Sequence, residues 1–388
     1  MKTVTVLGST GSVGSQTVEL LLAAPERYRV RTLVGGRNAR LLAEQARSLG
    51  AERAVLSDPA GYGELCDGLA GSGVAAACGS AEVVAAAAEH VDWTMAAISG
   101  AAGLPATFAA IRSGGAVAFA NKEVLVCAGE VMLAAVRDSG ATLLPVDSEH
   151  NAIFQARADG NHGAIEKIVL TASGGPFRNA SREEMAAATP ERALKHPVWS
   201  MGAKISIDSA TMMNKGLEVI EAARLFGLDC AQIEVLIHPQ SVVHGLVCYS
   251  DGSVLAQLGS PDMRVPIAHT LAWPERIATA APRLDLAAVA RLEFAAPDLD
   301  RFPALRIACD ALRAGGGAPT ILSAANEVAV AAFLDRRIGF LDIVSVVEDV
   351  LNELGSPRAD TLETVLDLDG RARDAAERRC LARRRDAA

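Results

Sequence analysis

Short apolar runs recur along the first part of the chain, at Val4–Leu7, Val30–Val34, Arg53–Leu56, Trp93–Ile98, Ala116–Ala120 and Thr142–Val146, with stretches of helical spacing between them. Strands separated by helices return to the sheet in the same direction, and the helices cover both of its faces. This pattern predicts an α/β chain whose residues 1–146 form a Rossmann-like, doubly wound parallel sheet. Beyond them the texture changes. Lys167–Thr171 and Val235–Ile237 read as strands, and Val242–Tyr249 and Val254–Leu258 flank Ser250-Asp251-Gly252-Ser253, a hairpin signal. Residues 147–272 are therefore expected to form a central α+β domain with an antiparallel sheet. Residues 273–303, proline-bearing and weakly periodic, read as a linker. Ala304–Ala314, Thr320–Arg336, Leu341–Leu354 and Gly370–Arg385 carry helical periodicity and predict a C-terminal α-helical bundle over 304–388.

Composition narrows the class. Half of the residues are hydrophobic but only 4% are aromatic, so the cores must be aliphatic and alanine-rich. A net charge of −9 argues against a nucleic-acid partner, because binding phosphates at scale needs a basic surface. The 7 cysteines are scattered without a CxxC pair and read as thiols of a reducing compartment. No apolar run is long enough to span a membrane, and the first apolar run leaves no room for a leader. The expectation is a soluble, cytoplasmic protein.

Two loops point to a nucleotide. Gly8-Ser-Thr-Gly11-Ser-Val-Gly14 sits between the first strand and the first helix. Glycines there let the backbone approach a pyrophosphate, and the helix N-terminus offers N–H donors. The GxxGxxG spacing departs from the commonest fingerprint, and a ligand-free glycine turn is the plainer alternative. The second strand ends in Gly35-Gly36-Arg37-Asn38, without the acid that holds ribose hydroxyls in many NAD enzymes. Arg37 instead offers a guanidinium fork to a 2′-phosphate, which favours NADP over NAD.

Acidic residues raise a different question. In Leu144-Pro-Val-Asp147-Ser148-Glu149-His-Asn151, an extended chain would point both carboxylates to one face, a repulsion that calls for a cation. A solvated acidic turn is the ordinary alternative. Further on, Ser206 to Glu221 reads as a helix from about Ala210, which places Asn214, Lys215 and Glu218 on one face and Ser209 at the cap. Lysine, amide and hydroxyl suit a phosphate. Glu218 would be a third carboxylate for Asp147 and Glu149, and three carboxylates without histidine or thiol suit Mg²⁺ or Mn²⁺. An exposed helix with a Lys–Glu pair is the bland counterpart. Thr171–Arg178 and Lys195–Gly202, rich in glycine, proline, Ser173, His196 and Trp199, have the composition of a segment that closes over a phosphorylated substrate.

With these residues in view, the chain resembles the 1-deoxy-D-xylulose 5-phosphate reductoisomerase family. The likeness is carried by GSTGSVG (8–14), NKE (121–123), VDSEHNAIFQ (146–155), SGGPFR (173–178), HPVWSMG (196–202), SIDSATMMNKGLE (206–218), IHPQSVVHG (237–245), DGSVLAQLGSPDMR (251–264) and AANEVAVAAFL (324–334). The resemblance implies a divalent cation, Mg²⁺, Mn²⁺ or Co²⁺, held by Asp147, Glu149 and Glu218. It implies NADPH against Thr10, Gly11, Ser12, Val13, Gly36, Arg37, Asn38, Asn121, Lys122, Glu123 and Gly202, with arginine at 37 where the familiar member has lysine. It implies a small sugar phosphate held by Ser148, Glu149, Ser173, His196, Trp199, Ser209, Asn214, Lys215 and Glu218, with Lys215, His196 and Glu149 nearest the chemistry. It implies rearrangement and reduction to 2-C-methyl-D-erythritol 4-phosphate in the non-mevalonate isoprenoid pathway. It also implies that 147–272 is a catalytic domain that forms a homodimer. A sugar-phosphate dehydrogenase without isomerisation and a non-catalytic NADP sensor remain the alternatives.

Overall fold

The computed structural model describes residues 1–157, 162–199 and 201–386. Two compact units share the chain, and neither is one continuous segment. The first comprises Met1–Val124, Val131–Asn151 and Asp262–Pro282; the second comprises Leu125–Glu130, Ala152–Pro261 and Arg283–Ala388.

In the first unit, β1 (Lys2–Leu7), β2 (Tyr28–Gly35), β3 (Arg53–Leu56), β4 (Ala75–Cys78), β5 (Trp93–Ala96), β6 (Ala116–Phe119) and β7 (Thr142–Pro145) form one sheet in the order β4-β3-β2-β1-β5-β6-β7. Every pairing is parallel. The chain builds outward from β1 to β4, then crosses to the other side of β1 and builds again. That reversal leaves a crevice at the carboxyl ends of β1 and β5, where ligands bind in sheets of this kind. The central strands are buried and apolar, with Val4, Val6, Leu7, Leu33, Trp93 and Met95 fully or almost fully covered. β4 was not among the expected strands: Ala75-Ala-Ala-Cys78 has no β-branched residue to distinguish it from a helical run. The helix Arg264–Ala272 packs beside β6, β7 and the helix Ser12–Leu22, so part of the expected central domain belongs with the first sheet.

The second unit contains β8 (Ile165–Ala172), β9 (Ile233–Ile237), β10 (Val243–Tyr249) and β11 (Val254–Leu258) in the order β11-β10-β8-β9. The sheet is mixed and not purely antiparallel: β10 is antiparallel to β11 and β8, but β8 and β9 run parallel. The helix Met213–Phe226 connects that parallel pair, as a crossover must. It lays Val219, Ala222 and Ala223 on a core of Ile168, Leu170, Ile233 and Val247. The helical bundle follows, with Ala304–Ala314 and Asp342–Leu354 close to expectation. Ala318–Leu334 is buried around most of its circumference and forms the bundle's centre. The last helix starts at Leu362, earlier than the periodicity suggests. The expected linker holds a short helix, Leu286–Val289, and an antiparallel bridge from Ala295 to Ile237 at the end of β9.

Candidate active site

The glycine loop folds as a strand-to-helix turn that only glycine can make. Gly8 has φ +90°, and a Cβ there would meet the Ala97 carbonyl oxygen at 2.5 Å; one at Gly14 would meet the Gly8 oxygen at 2.1 Å. Gly11 is the N-cap of the helix Ser12–Leu22, no side chain caps it, and Gly11 and Ser12 are exposed. Thr10 to Val13 follow β1, and Gly36, Arg37 and Asn38 follow β2, its parallel neighbour, so both groups lie at the same edge of the sheet. Arg37 is exposed and only loosely paired, its Nε lying 3.5 Å from Asp58 Oδ2. Asn38 caps the next helix by accepting from the Leu41 N–H at 3.0 Å. Asn121 braces the loop beyond β5, donating to the carbonyls of Ile98 at 2.6 Å and Gly100 at 3.0 Å and accepting from the Glu123 N–H.

Asp147 and Glu149 are not placed by strand alternation. β7 stops at Pro145, and the helix Ser148–Ala156 begins immediately after Asp147, so Glu149 sits in its first turn. A carboxylate there is favoured by the helix dipole. Ser148 Oγ donates to Glu149 Oε2 at 2.6 Å. The counter-charge of Asp147 is Lys122, whose buried Nζ lies 2.8 Å from Asp147 Oδ2. Lys122, expected beside the nucleotide, is also engaged by this acid. Asn151, four residues after Asp147, donates its side-chain amide to the Pro145 carbonyl at 2.9 Å and lies 3.1 Å from His269 Nδ1. Burial first, and Arg276 second, push the His269 pKa down to about 4.

The second unit assembles the other group of residues. Asn214, Lys215 and Glu218 share a face, and both Asn214 Nδ2 and Lys215 Nζ donate to the Glu218 carboxylate. Lys215 and Glu218 are 3% and 1% exposed, so this is not the surface ion pair of the bland alternative. Burying charge carries a desolvation cost that a stability role does not repay, which points to use. Ser209 is not a cap: it lies in the last turn of Ala203–Thr211, which ends at Met212 in the left-handed region with φ 64° before the next helix starts. Gly175, also left-handed, approaches this junction so closely that a Cβ would lie 2.7 Å from the Ser209 oxygen. The loop bearing Ser173 and the junction bearing Ser209 therefore form one surface.

His196 closes that surface. Its Nδ1 accepts from the N–H groups of Val198 at 3.2 Å and Trp199 at 2.8 Å, which leaves the proton of the neutral ring on Nε2, 2.9 Å from Ser173 Oγ. The Trp199 ring meets His244 edge-on at 6.2 Å. Phe177 anchors the preceding loop, packed on Phe340 at 4.8 Å. Gly202 is the exposed N-cap of Ala203–Thr211. Ser200, inside the expected closing segment, lies outside the described residues.

Three family models match in succession. One described as 1-deoxy-D-xylulose 5-phosphate reductoisomerase covers residues 4–129, that family's C-terminal domain covers 143–226, and a DXP reductoisomerase C-terminal domain covers 258–375. The protein of that name from Gluconobacter oxydans is 62% identical over 375 residues, 96% of this chain and 92% of its own length. The chain belongs to the 1-deoxy-D-xylulose 5-phosphate reductoisomerase family. The Rhodospirillum centenum member is likewise 62% identical over 96% of this chain and 93% of its own. Among solved structures, the reductoisomerase from Zymomonas mobilis in complex with NADPH is similar at 54% identity and TM-score 0.93, covering 98% of this chain and 99% of that one. A DOX-P reductoisomerase in complex with NADPH, fosmidomycin and magnesium is similar at 42% identity and TM-score 0.92, covering 98% of each.

Sequence reasoning passed over several reductoisomerase residues that the structure brings to these sites. His269 and Asn151 carried no signal of their own, whereas Lys122 was already expected beside the nucleotide through the resemblance. His238, in IHPQSVVHG, is fully buried, bonded through Nδ1 to the Glu293 carbonyl at 2.9 Å and stacked on Phe294.

Proposed function

We infer that this chain catalyses the NADPH- and magnesium-dependent rearrangement and reduction of 1-deoxy-D-xylulose 5-phosphate to 2-C-methyl-D-erythritol 4-phosphate, a step of non-mevalonate isoprenoid synthesis. The observation that carries this reading is the buried Asn214–Glu218–Lys215 cluster in a chain that matches the family over nearly its whole length. Residues 1–146 are assigned to the nucleotide, 147–272 to catalysis and dimerisation, 273–303 to a linker and 304–388 to the helical domain, with the helix Arg264–Ala272 carried on the first sheet.

The residues present fit both groups that the reaction needs. For NADPH, the glycine turn has no room for a Cβ and no side chain capping its helix, and Arg37 is exposed to receive a 2′-phosphate. For the cation, Asp147, Glu149 and Glu218 offer carboxylate oxygens only, the donor set of Mg²⁺ and of Mn²⁺. When bound, NADPH supplies the hydride and the cation supplies Lewis-acid stabilisation of developing oxygen charge. The chain's own residues do the rest. Ser173, Ser209, Asn214 and Lys215 hold the substrate phosphate and Ser148 contacts the sugar. Binding energy from that remote phosphate aligns the reacting carbons. Lys215 contributes charge rather than acting as the proton carrier, since its ammonium is held in an ion pair. His196 and Trp199 close over the substrate and exclude water.

The deciding experiment is NADPH oxidation with 1-deoxy-D-xylulose 5-phosphate, with and without EDTA, with product identification. Turnover is expected only with the metal, and Glu149→Gln should keep NADPH binding while weakening Mn²⁺ binding and removing most activity. Turnover that survives chelation would instead favour a dehydrogenase without isomerisation, and nucleotide binding without turnover would favour a sensor. The chain is further proposed to act as a cytoplasmic homodimer; among the described residues no helix is long and apolar enough to cross a membrane.

A further inference from the structure

The turn between β7 and the helix Ser148–Ala156 carries Asp147, Ser148 and Glu149, and one side chain spans it. Asn151 is 1% exposed. Its backbone N–H donates to the Asp147 carbonyl at 2.8 Å, and its Nδ2 donates to the Pro145 carbonyl at 2.9 Å. Main chain and side chain therefore reach back together and set the path of the acidic residues. The amide has a second hydrogen, and His269 Nδ1 lies 3.1 Å from the same nitrogen. An amide nitrogen only donates, so His269 must accept there and carry its own proton on Nε2.

His269 is mounted rigidly enough to serve this purpose. It stands on the helix Arg264–Ala272, which packs beside β6 and β7 and whose Leu271 carbonyl accepts from Lys2 Nζ at 2.9 Å. Burial keeps the imidazole neutral at working pH, with its pKa down at about 4, so the acceptor lone pair is present. We propose that His269, acting through Asn151, is a positioning residue that sets the orientation of the metal-ligand pair Asp147 and Glu149. The proposal rests on the metal reading given above. An outer partner that orients a ligand without touching the ion affects affinity, and its loss costs about 10–100-fold in metal binding. Removing the His269 acceptor takes one partner from a buried amide; the amide turns toward others, the Pro145 bond weakens, and the turn relaxes.

The test uses the full-length protein and two variants. His269→Phe keeps a ring but offers no acceptor; His269→Asn returns an amide oxygen close to the place of Nδ1. Mn²⁺ binding is read by electron paramagnetic resonance and NADPH binding by fluorescence. H269F should weaken Mn²⁺ binding about 10-fold or more with NADPH affinity unchanged, and H269N should restore most of it. Unchanged Mn²⁺ affinity in H269F overturns the proposal. So does an H269N that binds Mn²⁺ as poorly as H269F, or a parallel loss of NADPH affinity in both, which marks general damage to the sheet. Glu149→Gln separates the two readings. If it binds Mn²⁺ as the unmodified chain does, the metal reading fails and the proposal falls with it. If it loses Mn²⁺ while H269F does not, the positioning role alone is wrong.

Discussion

At the scale of single residues, the cations differ in how firmly they are paired. Lys122 and Lys215 are buried against carboxylates, whereas Arg37 is exposed and only loosely paired with Asp58. Exposed pairs of that kind contribute little, so the guanidinium can turn to a phosphate at small cost. Arg37→Ala should raise the KM for NADPH about tenfold or more, the scale of one lost charge-assisted contact, and change the KM for NADH far less. Steady-state kinetics with both cofactors checks this. An equal loss with both would give Arg37 a task unrelated to the 2′-phosphate.

At the scale of elements, the surface proposed for the phosphate rests on two left-handed backbone positions. Gly175 has φ +66° and Met212 φ 64°, and between them the loop after β8 touches the end of Ala203–Thr211. Alanine at 175 would suffer about 1–2 kcal/mol of backbone strain and would also push on the Ser209 oxygen. Gly175→Ala should therefore raise the substrate KM at least tenfold while leaving NADPH binding intact. The same variant tests closure of the segment, because Phe177 ties its near end to the helical bundle while His196 and Trp199 sit at its far end. Fosmidomycin should increase hydrogen-exchange protection across 173–199 in the unmodified chain and do so much less in Gly175→Ala. Protection that is identical with and without the ligand would mean a fixed loop and no lid.

At the scale of the molecule, the two edges of the second sheet differ. β9 is bridged by Ala295, but β11 is an outer strand with Val254 and Leu255 exposed. An apolar open edge invites another strand, which supports a homodimer built through β11. Light scattering should give twice the chain mass for the unmodified protein, and Val254→Lys with Leu255→Lys should shift it to monomer. A monomer from the outset would sink the dimer, and an intact dimer in the double variant would move its interface elsewhere.

Much of this architecture was legible in local pattern. The parallel-strand alternation, the glycine turn and the common face of Asn214, Lys215 and Glu218 all follow from periods of a few residues, which backbone geometry imposes wherever the chain folds. β4 escaped because an alanine run carries no such period. Other features depend on which distant segments the topology brings side by side. The Asp147 carboxylate meets Lys122 because β6 and β7 are neighbours, and Asn151 meets His269 across 118 residues of sequence. The kink at Met212 moved Ser209 from an expected cap into a helix end, where Gly175 packs on it. Residue spacing encodes only contacts within an element. Which charge is buried against which, and which amide braces the turn of Asp147 and Glu149, were decided by tertiary packing, because a buried polar atom takes whatever partner the fold places within about 3 Å.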